Sequence, residues 1–165
     1  MVTPEEQKVI AAIDALGLPY ELISIDPAYA DTAAFCQQYG YPLERSANTI
    51  IVASKKEPKQ LAACVVLATT QLDVNRRVRK LLGAAKASFA TAEEMRALTG
   101  MQVGGVTPFA LPTNLPLYVD ERVMQLDWII LGSGGRAAKI KIASEVFTKL
   151  GATIVEDLAL ERAAS

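Results

Sequence analysis

Two adjacent glycines and two prolines crowd the stretch GMQVGGVTPFALP, residues 100–112. Pro108 fixes its φ and has no backbone donor, whereas Gly104 and Gly105 let the chain turn tightly or approach a group that a Cβ would block. A loop of this composition is stiff and offers bare N–H groups. It reads either as a turn or as the wall of a binding site. The rest of the inventory limits what such a site could do. The chain has no histidine, which removes Ser-His-Asp and Cys-His arrangements, imidazole bases and the common zinc ligand sets. Cys36 in AAFCQQ and Cys64 in AACVVL have apolar neighbours and are expected to be buried free thiols rather than a disulfide or nucleophiles. No metal and no cofactor are expected. Proton transfers would fall to a carboxylate, an amine, a hydroxyl, water or the substrate itself.

A second glycine-rich stretch, GSGGRAA, places Gly132, Gly134 and Ala137 in a G-x-G-x-x-A pattern after a strand-like run. Glu156 follows at about the 20-residue distance where a ribose-binding acid would stand. Too few residues come after Glu156 to complete a dinucleotide fold, and Ile140 and Ile142 permit a strand where that motif requires a helix. A nicotinamide site is therefore disfavoured. Arg76, Arg77, Arg79 and Lys80 share one predicted helix with an apolar stripe of Val74, Val78 and Leu81. A solvated outer face is a simpler account of these charges than a grip on RNA, and Lys55, Lys56 and Lys59 are read the same way. Asn48 is odder, because it enters the apolar run TIIVA. A cap, a turn and a ligand contact are all open readings of it.

These residues need a frame. Hydrophobic residues make up 51% and charged residues 21% of the 165-residue chain, a globular composition that suits one domain over 1–165. A chain of this length buries about two thirds of its unfolded surface. The longest apolar runs, such as residues 61–68, fall far short of the roughly 20 needed to cross a bilayer. The start, MVTPEEQK, has no basic region leading into an apolar core, so it does not read as a secretory signal and the cytoplasm is the expected location. A net charge of −1 gives no global attraction to nucleic acid, so DNA is not an expected partner and any RNA contact must be local.

Thr3 and Glu6 form a capping box around Pro4 and predict a first helix, stopped by Gly17, with Val9, Ile10, Ile13 and Leu16 on its apolar face. Residues 20–26 read as a strand and 32–39 as a short helix. Residues 48–54 and 61–68 read as two buried strands, reversed by the polar KKEPKQ into an antiparallel pair. Asp73 is expected to cap a helix ending at Gly83, and Thr91 with Glu94 to open another that Gly100 closes. Strand-like LYVD and WIILG follow, then a last helix capped by Ser144 and a final strand over residues 152–157. Helices and strands mix without strict alternation. The expected fold class is α/β in the α+β sense: a single domain with a mixed, largely antiparallel sheet and flanking helices.

SANTIIVA, AACVVLATTQLDVNRRVRKLLGAAKASFATAEEM, TGMQVGGVTPFALP and WIILGSGGRAAKIKI occur in this order over roughly residues 20–156. In that order and spacing they resemble the YbaK/prolyl-tRNA-synthetase-associated domain. The most specific element is Gly-x-x-x-Pro, here Gly104 to Pro108. The resemblance implies an aminoacyl-tRNA deacylase that hydrolyses the ester of mischarged tRNA in trans-editing, without histidine or metal. Its partners would be the acceptor end of an aminoacyl-tRNA and an aminoacyl-tRNA synthetase. Gly104, Gly105, Val106, Thr107 and Pro108 would then cradle the ester and terminal ribose, with backbone donors near the developing oxyanion and Gly105 leaving room for the ribose. Asn48 and Thr49 would orient the amine or the attacking water, and Gly132, Ser133 and Gly134 would form the opposite rim. Two positions depart from the family pattern. Asn48 stands where family deacylases usually carry a lysine, and Lys139 stands near where many members carry an acid. The expectation is that Lys139 reaches the Asn48 cleft from the glycine-rich rim and supplies the displaced positive charge. A non-catalytic module that binds aminoacyl-tRNA or a synthetase is the alternative.

Overall fold

The computed structural model describes residues 2–162. Helix α1 (Pro4–Leu16) begins with both halves of the Thr3/Glu6 capping box and ends at Gly17 in the left-handed conformation. Val9 and Ile13 are fully buried, and so is the capping residue Glu6. Strand β1 (Tyr20–Ser24) stops before Asp26, whose carboxylate instead receives the Ala28 N–H of a short 3-10 turn. Helix α2 (Thr32–Tyr39) spans the expected residues.

Strands β2 (Ala47–Ser54) and β3 (Leu61–Leu67) form the expected antiparallel pair, with Asn48 opposite Val66. They are central to a five-stranded sheet. Strand β5 (Ala87–Phe89) flanks β2, while β6 (Leu117–Asp120) and β9 (Thr153–Val155) extend the other side in parallel, giving the order β5-β2-β3-β6-β9. Strands β7 (Trp128–Gly132) and β8 (Ala138–Ala143) join β1 in an antiparallel sheet ordered β1-β8-β7. A single parallel bridge, Ser46 to Ile130, links the two sheets. Strands β4 (Thr70–Leu72) and β10 (Ala159–Glu161) make a small third pair. The main core lies where α1 covers the sheets, with Phe109, Ile129, Leu131, Ile140 and Phe147 all essentially inaccessible. Among the described residues, no helix is long and apolar enough to cross a membrane.

Several local expectations change. The stretch after GSGG is β8, so the helix required by a dinucleotide fingerprint does not exist. Asp73 does cap its helix through the Arg76 N–H, but the first turn, Val74–Val78, is π-helical: the Val78 N–H reaches Asp73 O at 3.0 Å. Only Arg79–Leu82 (α3) is α-helical before Gly83. Helix α4 (Ala92–Thr99) keeps its Thr91/Glu94 box. Ser144 does not cap the last helix, α6 (Val146–Lys149); its hydroxyl donates to Leu126 O. The final strand divides into β9 and β10, and a one-turn helix, α5 (Glu121–Met124), fills the bend after β6.

Ala110 sits at φ 57° inside the Gly–Pro loop. An L-residue held in the left-handed region costs about 1 kcal/mol or more relative to glycine. Ala110→Gly is expected to raise stability by about 0.5–1 kcal/mol after the added freedom of the unfolded chain is deducted. Urea denaturation checks this; a lower midpoint would mean that the Ala110 methyl packs usefully.

Candidate functional site

Strand β5 pairs with β2 only along residues 52–54, and the Ser46–Ile130 bridge lies at its other end. Between them the β5 side of β2 is uncovered, and a cleft of about 270 Å³ opens there. The N-terminus of α2 forms one wall and the Gly104 loop another, while β7 and β8 close the floor. Of the residues expected at a site, Asn48, Thr49, Gly104, Val106, Gly132 and Lys139 line this cleft. Asp31, Thr32, Phe35, Ser46, Ala47, Ile50, Ile130 and Leu131 complete the lining. None of these eight was a candidate on sequence: Phe35, Ala47, Ile50, Ile130 and Leu131 look like ordinary core, and Asp31, Thr32 and Ser46 like the polar ends of a helix and a strand. The sequence marked Thr32 only as the start of a short helix; that this start meets the strand carrying Asn48 is visible in the structure alone.

Asn48 is half-buried, and its Oδ1 accepts from Thr32 Oγ1 at 2.8 Å. Among the described residues its NH₂ group has no partner, so it can donate to a ligand. Thr49 is buried, and among the described residues its hydroxyl has no partner. Lys139 is the cleft's only lysine or arginine and is 6% exposed. Its Nζ stands 5.7 Å from the Phe35 ring centroid, a cation–π arrangement, and no carboxylate among the described residues forms an ion pair with it. Burial lowers its pKa, Arg136 lowers it further, and Asp31 and Cys36 oppose the shift.

A lysine whose folded pKa lies below the ordinary value of 10.5 penalises the folded state. The penalty is full below the folded pKa. Between that value and 10.5 the unfolded chain holds a proton that the folded chain has lost, so stability rises with pH through this window. Lys139→Met is accordingly expected to stabilise the protein at pH 7 by about 1–2 kcal/mol, with a gain that shrinks toward high pH. Urea denaturation at neutral and alkaline pH tests this, and an increment independent of pH would refute it.

The remaining candidates stand behind the cleft and build its wall. Gly105 does not leave space for a ribose: a Cβ there would overlap the Gly135 carbonyl and stand 2.8 Å from Gly135 N. Its N–H is already given to Gln102 O at 2.9 Å, and its carbonyl accepts from Gly134 N at 2.6 Å. A Cβ on Gly132 would be 2.6 Å from Val106 O. The two glycine-rich loops thus stack backbone against backbone, with no depth for side chains. Thr107 and Pro108 are buried in this stack, and Ser133 and Gly134 are buried beneath it. Ser133 Oγ donates to Glu6 Oε2, which also receives the Ala137 N–H at 3.2 Å, while Glu6 Oε1 receives the Thr3 N–H at 2.9 Å. Glu6 therefore bolts the start of α1 to the second loop, a role that its capping position conceals in sequence.

The basic cluster lies elsewhere. Arg77 Nε donates to Glu156 O, Arg79 folds back on Asn75 O and Ala84 O, and Arg76 and Lys80 share a groove with Asp73, Glu156 and Asp157. The mixed charge fits a solvated face. Lys59 in the β2–β3 turn pairs with Glu94 at 2.7 Å. Both cysteines are buried and unpaired; burial pushes the Cys64 thiol up to about 12, and Cys36 Sγ lies 3.3 Å from Ser46 Oγ. Among the described residues, no group of three or more histidine, cysteine or acidic side chains could hold a metal.

Comparisons with known proteins concern the chain as a whole. Residues 26–150 match the model of the aminoacyl-tRNA editing domain. A curated protein of Enterococcus faecalis (strain ATCC 700802 / V583), "Putative Cys-tRNA(Pro)/Cys-tRNA(Cys) deacylase EbsC", is 24% identical over 152 residues, covering 90% of each chain. The crystal structure of the hypothetical protein APE2540 superposes with a TM-score of 0.81 at 28% identity, covering 90% of this chain and 97% of its own. A crystal structure described as "a putative trans-editing enzyme for prolyl tRNA synthetase" has the same fold, with a TM-score of 0.82 at 22% identity, over 99% of this chain and all of its own.

Proposed function

Because the chain belongs to the aminoacyl-tRNA editing domain family, we propose that it hydrolyses the ester of a mischarged aminoacyl-tRNA in the Asn48–Lys139 cleft. The observation that supports this reading most is the convergence of Lys139, Asn48 and Gly104 on one pocket, where a cation, an amide and bare backbone meet. Water attacks the ester carbonyl carbon, and negative charge gathers on the carbonyl oxygen. The Lys139 ammonium, itself shielded from water, and the Gly104 N–H stabilise that charge. Asn48, braced by Thr32, uses its NH₂ group to orient the reacting end. As the tetrahedral centre collapses, the bond to the terminal ribose oxygen breaks and that oxygen keeps a proton from the water. The products are the free amino acid and an intact tRNA end. Val106, Ile130 and Phe35 give the aminoacyl side chain an apolar bed, and only the acceptor end of the tRNA needs to enter.

Purified protein incubated with a panel of mischarged tRNAs tests the reading. It predicts faster release of at least one amino acid than in protein-free controls, and release of none would overturn it. Tight binding of an aminoacyl-tRNA without turnover would instead identify a non-catalytic module, presenting its ligand alone or to a synthetase.

A further inference from the structure

We infer that Arg136 is a positioning residue that locks the Gly104 peptide into its working orientation, an inference that rests on the deacylase reading above. Gln102 to Gly105 form a β-turn closed by the Gly105 N–H to Gln102 O bond at 2.9 Å, with Gly104 at φ +84° in its third position. This is the type II pattern, in which the central peptide can rotate by half a turn while the ends stay fixed. That central peptide contains the Val103 carbonyl and the Gly104 N–H. The two groups point in opposite directions because the peptide is planar and trans. Whatever holds the carbonyl therefore also aims the donor.

Arg136 holds it. Its Nη1 donates to Val103 O at 3.0 Å, and among the described residues this carbonyl has no other partner. The same guanidinium reaches Asp31 Oδ1 at 3.3 Å and Pro27 O at 3.2 Å, so one side chain ties the Gly104 turn to the segment leading into α2. Asp31 stands at the N-cap of α2 yet makes no side-chain cap, which leaves its carboxylate for Arg136. A Cβ on Gly104 would overlap Arg136 Nη1, so the pair is fitted at contact distance. With the carbonyl turned toward the guanidinium, the Gly104 N–H faces away from it. Reversal of this peptide would put a carbonyl dipole where the reaction needs a donor.

Arg136→Met removes all three bonds, Arg136→Lys keeps charge without the fork, and Asp31→Asn weakens the anchor alone. In Arg136→Met, the Gly104 amide, which has no hydrogen-bond partner among the described residues, is expected to shift and broaden in its NMR resonance as the peptide samples both orientations, while core amides of β3 and β8 keep their exchange protection. For the aminoacyl-tRNA hydrolysed fastest in the panel, kcat should fall on the order of tenfold to a hundredfold with KM within about twofold, the mark of a contact made in the transition state. Arg136→Lys should restore only part of that loss. Adding Gly104→Ala to Arg136→Met should cost less than adding it to the wild type, because the overlapping group is gone. An unchanged Gly104 amide resonance overturns the clamp, and a changed one with unchanged kcat overturns its positioning role. A wild-type chain that hydrolyses nothing sinks the deacylase reading instead, and the Gly104 resonance then decides the clamp alone.

Discussion

Gly105→Val is expected to unfold the protein rather than disable a folded one. The new side chain would have to enter the space held by the Gly135 backbone, and neither loop can retreat without breaking the Gly134 N–H to Gly105 O bond. Overpacking typically costs 1–3 kcal/mol when side chains can yield; here backbone must move, so a loss of about 3 kcal/mol or more is expected. That is a large share of the roughly 5–15 kcal/mol that holds a domain together. Denaturation followed by the fluorescence of Trp128, the one tryptophan, gives the answer. A Gly105→Val protein with a wild-type midpoint would show that the two loops separate easily.

Lys139→Met should have the largest effect on turnover, lowering kcat/KM about a hundredfold through loss of the one cation aimed at the developing charge. The same substitution is expected to stabilise the fold at neutral pH, so the two effects have opposite signs. That combination separates a functional loss from a structural one. Asn48→Ala should cost about 1–3 kcal/mol in transition-state binding, since it also strands the Thr32 hydroxyl. Asn48→Lys, which returns a cation to β2, should recover part of the activity of Lys139→Met. Single-turnover hydrolysis across these variants checks the set. Wild-type rates in Lys139→Met would remove the relocated charge from the mechanism.

The capping boxes, the β2–β3 pair and the Gly–Pro loop were legible because each depends on neighbours in sequence. Thr3 with Glu6, Thr91 with Glu94 and the glycine stops identify themselves within one helical turn. The π-helical turn after Asp73 was hidden, since nothing in local propensity separates i−4 from i−5 bonding and its buried Val74 and Val78 pack in a cluster with residues distant in sequence, such as Val52 and Leu158. The resemblance led to Asn48, Gly104 and Lys139 as candidates for one site. It could not separate cleft from wall: Gly104 and Gly105 are adjacent and identical in type, yet one lines the pocket and the other is pressed against Gly135. That distinction depends on a loop some thirty residues away, which no local pattern records.

The bond network of Glu6 also has a consequence in time. Its carboxylate joins the first turn of α1 to Ser133 and Ala137, contacts separated by 127 and 131 positions along the chain. Contacts this distant must close very large loops, which delays them relative to local structure during folding. On the ribosome α1 emerges before the strands described here, but its buried acid has only the Thr3 N–H for a partner until β7 and the second glycine loop have followed. The helix must wait, capped but unbolted, while most of the domain is synthesised. The wall of the cleft is therefore among the last parts to set, and partly folded chains should carry the β2–β3 hairpin long before they carry a site. Pulse-labelled exchange during refolding would show β2 and β3 protected early, with Ala137 among the latest amides to gain protection.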